Sequence, residues 1–315
     1  MNYTVDFADG SCNDEKVNVL MCVYKEKISI VKTAVLSVLN QSYPNVELIV
    51  VIDNPERKDV VRLLDVLKVE KSIQYTVNKR NIGLAKSLNV GLKMCTAPYI
   101  ARMDADDISE FSRVEHQLNY LKKNKCDIVG GYMELINENG KFIKKKTDIP
   151  VKDKYIRRLL CYKSAVPHPT WFVKKEVYDS LKGYRDIYSA EDYDFLVRAA
   201  LEERKFGILP EICIKYRMSE SGITQNNLAL QKILSECMQR QYKSGKTWSL
   251  DKFKEYVQKN QKRLNYNKRF YELIKSPHKT AFNWGELLCS GQMFAEVRER
   301  LGSKIILWKD RHDYC

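Results

Sequence analysis

The residues best suited to chemistry are the carboxylates of Asp104-Ala105-Asp106-Asp107, which follow directly on an apolar stretch ending at Met103. In an extended chain, residues two apart face the same way, so Asp104 and Asp106 can aim at one point. Two carboxylates and the phosphates of a substrate suit Mn2+ or Mg2+, hard ions that take oxygen ligands. The same aspartates would equally end a strand and cap the next helix. A second acidic group, Ala190-Glu191-Asp192-Tyr193-Asp194, offers a general base if the fold brings it near an acceptor. Ser189-x-x-Asp192 also reads as a cap, where acids suit the helix dipole. Asp53 can bond a nucleobase or ribose, or start the turn through Pro55. Asn81-x-Gly83 opens a helix, where backbone N–H groups favour phosphate. His168 stands between Pro167 and Pro169, a setting open to substrate contact or to a structural role. No nucleophile is visibly paired with a base. Neither G-x-G-x-x-G after the first strand nor G-x-x-x-x-G-K-[ST] occurs, so dinucleotide and P-loop readings lose their support.

Elements that could position these residues are legible in the hydrophobic pattern. Val17 to Val23 and Val46 to Ile52 are apolar on both faces, as strands of a buried parallel sheet are. Between them, Ile28, Val31, Ala34, Val35, Val38 and Leu39 recur at helical spacing. A helix is expected near Arg57 to Lys68, a strand at Ile73 to Val77, a helix near Leu84 to Met94 and a strand at Tyr99 to Met103. That alternation predicts right-handed βαβ units, a mostly parallel sheet and helices on both faces. Ligands of such sheets bind beyond the carboxyl ends of strands, where Asp104 falls. After Asp107 the rhythm breaks. The pattern then suggests a helix over Phe111 to Lys122, a strand over Ile128 to Leu135 and a hairpin-like turn at Asn137 to Gly140. A strand over Thr170 to Val173, a helix over Ala190 to Glu202 and a last short strand over Ile212 to Tyr216 complete it. We therefore expect an α/β catalytic domain over 1–227 and a helical extension over 228–315.

Composition bounds the partners. The 315 residues carry a formal charge of +14. Residues 240–315 hold 17 Lys/Arg against 8 Asp/Glu, a local excess of +9. Such a balance suits an acidic partner, and docking on a membrane face is as open as a merely solvated basic surface. No zinc-finger or RNP-like spacing accompanies it, so no nucleic acid is expected. The nine cysteines are scattered and include no C-x-x-C pair, as in a reduced, cytoplasmic protein. The start MNYTVDFADGSCNDEK lacks the basic-then-apolar pattern of a secretory signal, and no apolar run reaches membrane-span length.

In order along the chain, these segments resemble family 2 glycosyltransferases of the GT-A fold, the group that builds bacterial surface polysaccharides. The resemblance is carried by Val17 to Tyr24, then Ala34-x-x-Ser37-Val38-Leu39-x-Gln41-Ser42-Tyr43, and by Val46 to Asp53. It continues through Asn81-Ile82-Gly83-Leu84-Ala85 with Asn89 and Gly91, Asp104-Ala105-Asp106-Asp107 and Arg113. His168-Pro169-Thr170, Gly183-Tyr184, Glu191-Asp192 and Tyr216-Arg217 complete the match over about residues 15–225. The usual D-D-G-S ending is here Asp53-Asn54-Pro55. The His that often follows the Y-R pair by two residues is Ser219, which leaves a third protein ligand to the metal in doubt.

The resemblance implies a metal-dependent hexosyltransferase that moves a sugar from a nucleotide-sugar, a UDP-sugar being favoured, with inversion in a single displacement. It implies that Asp53 holds the nucleobase with Val23 and Tyr24 lining the pocket, and that Asn81 and Gly83 lie on the donor side. It implies Asp104 at the ribose or metal and Asp106 as metal ligand. Asp192 would be the base, with Glu191 as its neighbouring alternative, and His168 and Trp171 would line the acceptor side. The acceptor would be a saccharide, carried on a polyprenyl lipid at the inner face of the cytoplasmic membrane, or a polyprenyl phosphate itself. A catalytically silent scaffold of the same family, or a basic nucleic-acid-binding protein, remain the rival readings.

Overall fold

A computed structural model describes residues 15–187, 189–218, 228–275 and 291–313, with side chains for all of these except 269–275 and 291–298. Strands β1 (Val17–Val23), β2 (Val46–Ile52), β3 (Ile73–Val77) and β4 (Tyr99–Asp104) are parallel and lie in the order β3-β2-β1-β4. Helices α1 (Ile28–Leu39), α2 (Lys58–Lys68) and α3 (Leu84–Met94) make the crossovers. The strands are apolar on both sides because both sides are covered. Leu20, Ile49, Val51 and Ile100 join one hydrophobic cluster, and Val19, Met21, Leu48 and Val50 join the other. Gly91 lets α3 lie close, since a Cβ there would sit 2.2 Å from a methyl carbon of Leu20.

Beyond β4 the sheet is mixed. Strand β5 (Ile108–Ser109) pairs with β9 (Phe206–Arg217), which runs parallel to β6 (Ile128–Ile136). The hairpin at Asn137 to Gly140 leads into β7 (Phe142–Lys146) on β6, with Gly140 at φ +79°. Strand β8 (Phe172–Lys174) lies antiparallel between β4 and β6. The full order is β3-β2-β1-β4-β8-β6-β9-β5. Four inter-strand steps thus separate β4 from β5, about 19 Å if the sheet were flat. The chain from Asp104 to Ile108 reaches about 14 Å at most. This half of the sheet therefore curls round, and residues 105–107 close its seam.

Two strands differ from the sequence pattern. Thr170 falls in a 3-10 turn (His168–Thr170), so the returning strand begins at Phe172. The last strand runs from Phe206 to Arg217 where Ile212 to Tyr216 was expected, because the buried apolar stretch Phe206 to Leu209 also pairs with β6. Helix α4 (Arg113–Asn124) follows β5, and α5 (Asp153–Leu159) and α6 (Lys175–Ser180) were not expected.

Helix α7 (Glu191–Leu201) is followed by α8 (Leu228–Lys243), α9 (Leu250–Lys259), α10 (Gln261–Lys275) and α11 (Gly291–His312). This extension is not a loose appendage. Leu234, Cys237, Met238, Trp248, Phe253 and Ile306 lie in the same cluster as Phe195 and Leu196 of α7. Arg185 ties the parts together, ion-pairing with Asp194 and donating to the Trp248 carbonyl and to Gln241. Among the described residues no helix is long and apolar enough to cross a membrane. Cys22, Cys95, Cys126, Cys161, Cys213 and Cys237 are free thiols.

Candidate active site

The register of β1 gathers the first acidic groups. Val23 pairs with Ile52 and Cys22 with Asp104, so Asp53 and Asp104 flank the end of β1, roughly 10 Å apart. Val23 itself is fully buried and its carbonyl accepts the Asp53 N–H, so its contribution to a pocket is through backbone position. Tyr24, one residue on, is exposed, and its loop is fixed by the Tyr24 N–H to Glu26 and by Arg57 to the Tyr24 carbonyl.

Asp53 is already engaged. Its oxygens accept from the Asn78 side chain (2.8 Å), the Ile82 N–H (2.9 Å) and the Gly83 N–H (2.9 Å). The anion at the start of α3 is thus Asp53, where a phosphate was expected, because the amides that favour an anion lie within its reach. The Asn81 side chain also accepts from the Gly83 N–H, and Gly83 takes φ +86° to present it.

At the end of β4, Asp104, Asp106 and Asp107 each bring an oxygen within 4.8 Å of the others. Arg102 lies two residues before Asp104, hence on the same side of the strand. Its guanidinium, almost wholly buried, holds Asp104 through both oxygens at 2.7 and 2.5 Å. Burial, then the Asp104 charge, raises the Asp106 carboxyl to about 7. Burial, then Asp104 and Asp106, raises Asp107 well above the carboxylate range. Asp107 accepts the Arg217 N–H (2.9 Å), while its other oxygen is buried with no partner among the described residues. The Arg217 side chain donates to the Asp106 carbonyl (2.8 Å) and to the Asn137 and Glu138 carbonyls. The Tyr216-Arg217 element therefore holds the acidic loop against the β6–β7 turn. Ser219 lies outside the described residues.

Hard oxygen donors, carboxyls raised by burial and by their mutual repulsion, and an Asp107 oxygen without a partner among the described residues form a set short of positive charge. Such a set fits Mn2+ or Mg2+. Asp107, which reads as readily as a helix cap in the sequence, belongs to that set.

Glu191 and Asp192 open α7, where the helix dipole favours them. Burial, then its neighbour Asp192, raises Glu191 to about 7, with Asp104 adding to the shift and Arg102 opposing it. Burial also raises Asp192, opposed by its hydrogen bonds to the Tyr193 backbone and to Ser164 (3.2 Å) and by Arg102. Ser189 does not cap the helix. Ala190 takes that place, and the Ser189 hydroxyl is buried with no partner among the described residues. Asp194 is wholly buried between Arg185 and Arg198 and serves the core.

His168, Trp171, Tyr184 and Phe195 form an aromatic cluster. His168 bonds the Tyr184 hydroxyl (2.9 Å) and packs on Trp171, ring centroids 4.5 Å apart. Burial, then the Arg102 charge, holds His168 well below its ordinary pKa, so the imidazole is neutral. Trp171 is completely buried and its indole N–H meets the Val166 carbonyl. It supports His168 from below, and a lining role is closed to it for want of exposed surface. Asn89 fixes this cluster by bonding both the Tyr184 N–H (2.8 Å) and the Tyr184 carbonyl (2.7 Å). Arg113 does the same for β4 and the 3-10 turn, donating to the carbonyls of Arg102, Pro169 and Trp171.

Arg102 is the site residue missed by reading the sequence. It grips Asp104, and its charge reaches Asp106, Asp107, Glu191, Asp192 and His168. The signal was there in Ile100-Ala101-Arg102-Met103, a cation inside an apolar strand, which the interior tolerates only when paired.

Comparisons with known proteins agree with this fold. The model of glycosyl transferase family 2 matches residues 18–182. The chain is similar to an uncharacterized glycosyltransferase of Methanocaldococcus jannaschii, 29% identical over 72% of this chain and 79% of that one. It is also similar to the O-antigen biosynthesis glycosyltransferase WbnJ of Escherichia coli, 31% identical over 70% of this chain and 87% of the relative. Among solved structures, S. aureus TarS 1-349 in complex with UDP-GlcNAc is similar over 95% of this chain and 92% of that one. The TM-score is 0.59 at 12% identity, a likeness of fold. Against a longer TarS structure the chain spans 39% of that chain, with a TM-score of 0.53. With a parallel half-sheet that ends in Asp53 and Asp104, an acidic loop at its seam and a family match covering half its length, this chain belongs to glycosyl transferase family 2.

Proposed function

We propose that this chain is an inverting transferase that moves a sugar from a nucleotide-sugar, a UDP-sugar first among them, to an acceptor hydroxyl. The reading is supported by three carboxylates gathered at the end of β4, where buried Arg102 grips Asp104, and by a second acidic pair, Glu191–Asp192, near enough for Glu191 to respond to the charges of Asp104 and Arg102. A donor-side acidic loop and an acceptor-side base must meet across one anomeric carbon, and a shared counter-charge is what such closeness requires.

Asp106, with Asp104 and Asp107, would hold Mn2+ or Mg2+, whose charge offsets that growing on the departing diphosphate. Tyr24 offers an exposed ring to the base, while Asp53 orders the loop through Asn81 and Gly83 that borders the nucleotide. The acceptor oxygen attacks the anomeric carbon from the side opposite the diphosphate. The carbon–oxygen bond to phosphate breaks with its electron pair leaving on the diphosphate, and the hydroxyl proton passes to Asp192. Ser164 orients that carboxylate, and a raised pKa suits a base at neutral pH. Glu191 is the second reading for the base, favoured by its response to the Asp104 charge. His168, neutral and braced by Tyr184 and Trp171, stands on the acceptor side.

The O-antigen relative and the basic extension support a saccharide acceptor on a polyprenyl lipid, met at the cytoplasmic face of the membrane. Nucleotide release from UDP-, GDP- and dTDP-sugars, with Mn2+ or EDTA and with added acceptor lipids, tests the reading. Release that needs metal and is lost in Asp106→Ala and Asp192→Asn supports it. Absence of metal-dependent binding to every nucleotide sinks it, and UDP binding without turnover would mark a silent scaffold. Product analysis separates transfer to a sugar hydroxyl from transfer to a polyprenyl phosphate.

A further inference from the structure

Helix α11 has two opposite faces over residues 299–313. On one, Ser303, Ile306 and Asp310 are buried. The Asp310 carboxylate accepts the N–H groups of Val151 (2.9 Å) and Lys152 (3.2 Å) before α5. Asp313 pairs with Lys152 and Lys154, and Glu299 with Lys232 (2.6 Å). Gly302 lies so near Tyr162 that a Cβ would sit 2.7 Å from its ring. All three acidic side chains of this stretch are thus spent on the body of the protein.

The other face carries Leu301, Ile305 and Trp308, exposed by 56%, 54% and 60%. Their spacing of i, i+4 and i+7 stacks them in one row. His312 continues it, stacked on the Trp308 ring at 4.6 Å. Exposed Arg300, Lys304, Lys309 and Arg311 flank the row on both sides. Three large apolar side chains in water, edged only by cations, are the makings of an interfacial helix: an apolar stripe for the acyl boundary, an indole at headgroup level and cations for lipid phosphates.

We infer that this face of α11 docks on an anionic lipid bilayer. The inference rests on the membrane-side reading of the proposed function and locates the surface responsible. Charge chooses the occupant, since a second copy pairing through the same face would set cation against cation. Through its opposite side, α11 is also joined to the chemistry by a short path. Tyr162 packs on Gly302, its carbonyl accepts from Gln239 of α8 (2.8 Å), and Ser164, two residues on, donates to Asp192. Seating α11 on the bilayer therefore fixes the acceptor-side carboxylate relative to the lipid surface.

Sedimentation of the full-length protein with phosphatidylcholine vesicles, with and without phosphatidylglycerol, tests this. Wild type should bind the anionic vesicles at least about tenfold more tightly than neutral ones. Two variants should each lose about tenfold on anionic vesicles while keeping the wild-type circular dichroism: Leu301→Ser/Ile305→Ser/Trp308→Ser and Lys304→Glu/Lys309→Glu. Indifference of wild type to anionic lipid, or wild-type affinity in both variants, overturns the inference. So does light scattering that shows a wild-type dimer turned monomer by the triple substitution, which would assign the face to self-association. Vesicle binding is read without donor or acceptor, so its failure leaves sugar transfer standing, and failure of sugar transfer leaves the binding result intact.

Discussion

Arg102 settles how two groups of carboxylates can share one small space. Its charge lowers the pKa of Asp106, Asp107, Glu191 and Asp192 against a burial effect that raises all four. A base must be deprotonated to accept a proton, so turnover should fall as pH drops through the pKa of the Glu191–Asp192 pair. With saturating donor and metal, the rate–pH profile should rise to an inflection above the ordinary carboxylate range, since burial raises both members of the pair, Glu191 to about 7. Arg102→Met removes the opposing charge and should move that inflection upward, whereas Arg102→Lys should keep it near the wild-type position with weaker hold on Asp104. An inflection that stays put in Arg102→Met would show that the guanidinium does not act on the base. Asp104 and Asp106 were legible through their two-residue spacing at the end of an apolar run, read together with the resemblance carried by the segments around them. Arg102 was not, because its meaning depends on partners contributed by α7 and the 3-10 turn, far away in the chain.

Among the elements, α3 carries more than its crossover. Its N-terminus takes Asp53, Gly91 brings it onto β1, and Asn89 grips the backbone of Tyr184, which in turn holds His168. Gly183 makes that grip possible at φ +69°, where a Cβ would lie 2.3 Å from the Asn89 side-chain oxygen. Gly183→Ala should therefore cost about 2 kcal/mol or more by urea denaturation, from both the backbone conformation and the lost hydrogen bonds. A midpoint equal to wild type would mean that the turn relaxes freely. The helix itself was readable from its 3.6-residue pattern, and so were β1 to β4. The tie across 95 residues from Asn89 to Tyr184 was not, since both hydrogen bonds are to backbone groups and leave no pattern in side-chain type.

At the scale of the whole molecule, the extension shares one hydrophobic cluster with α7. Reading residues 228–315 as an appendage followed from their polar, helical pattern, in which single apolar positions such as Leu234, Met238 and Phe253 look incidental. Packed on α7, they complete its buried surface. A chain ending at residue 227 should accordingly expose that surface, bind a hydrophobic dye and lose cooperative thermal unfolding. A soluble monomer with a sharp transition would instead show that the first 227 residues fold alone. The curled half of the sheet has a different consequence. Residues 105–107 are all that joins β4 to β5, so a ligand that stiffens this loop braces both ends of a nearly closed ring of strands. Occupancy of the acidic loop then becomes a mechanical signal, felt as slower amide hydrogen exchange along β5 and β9, in strands that never touch the ligand.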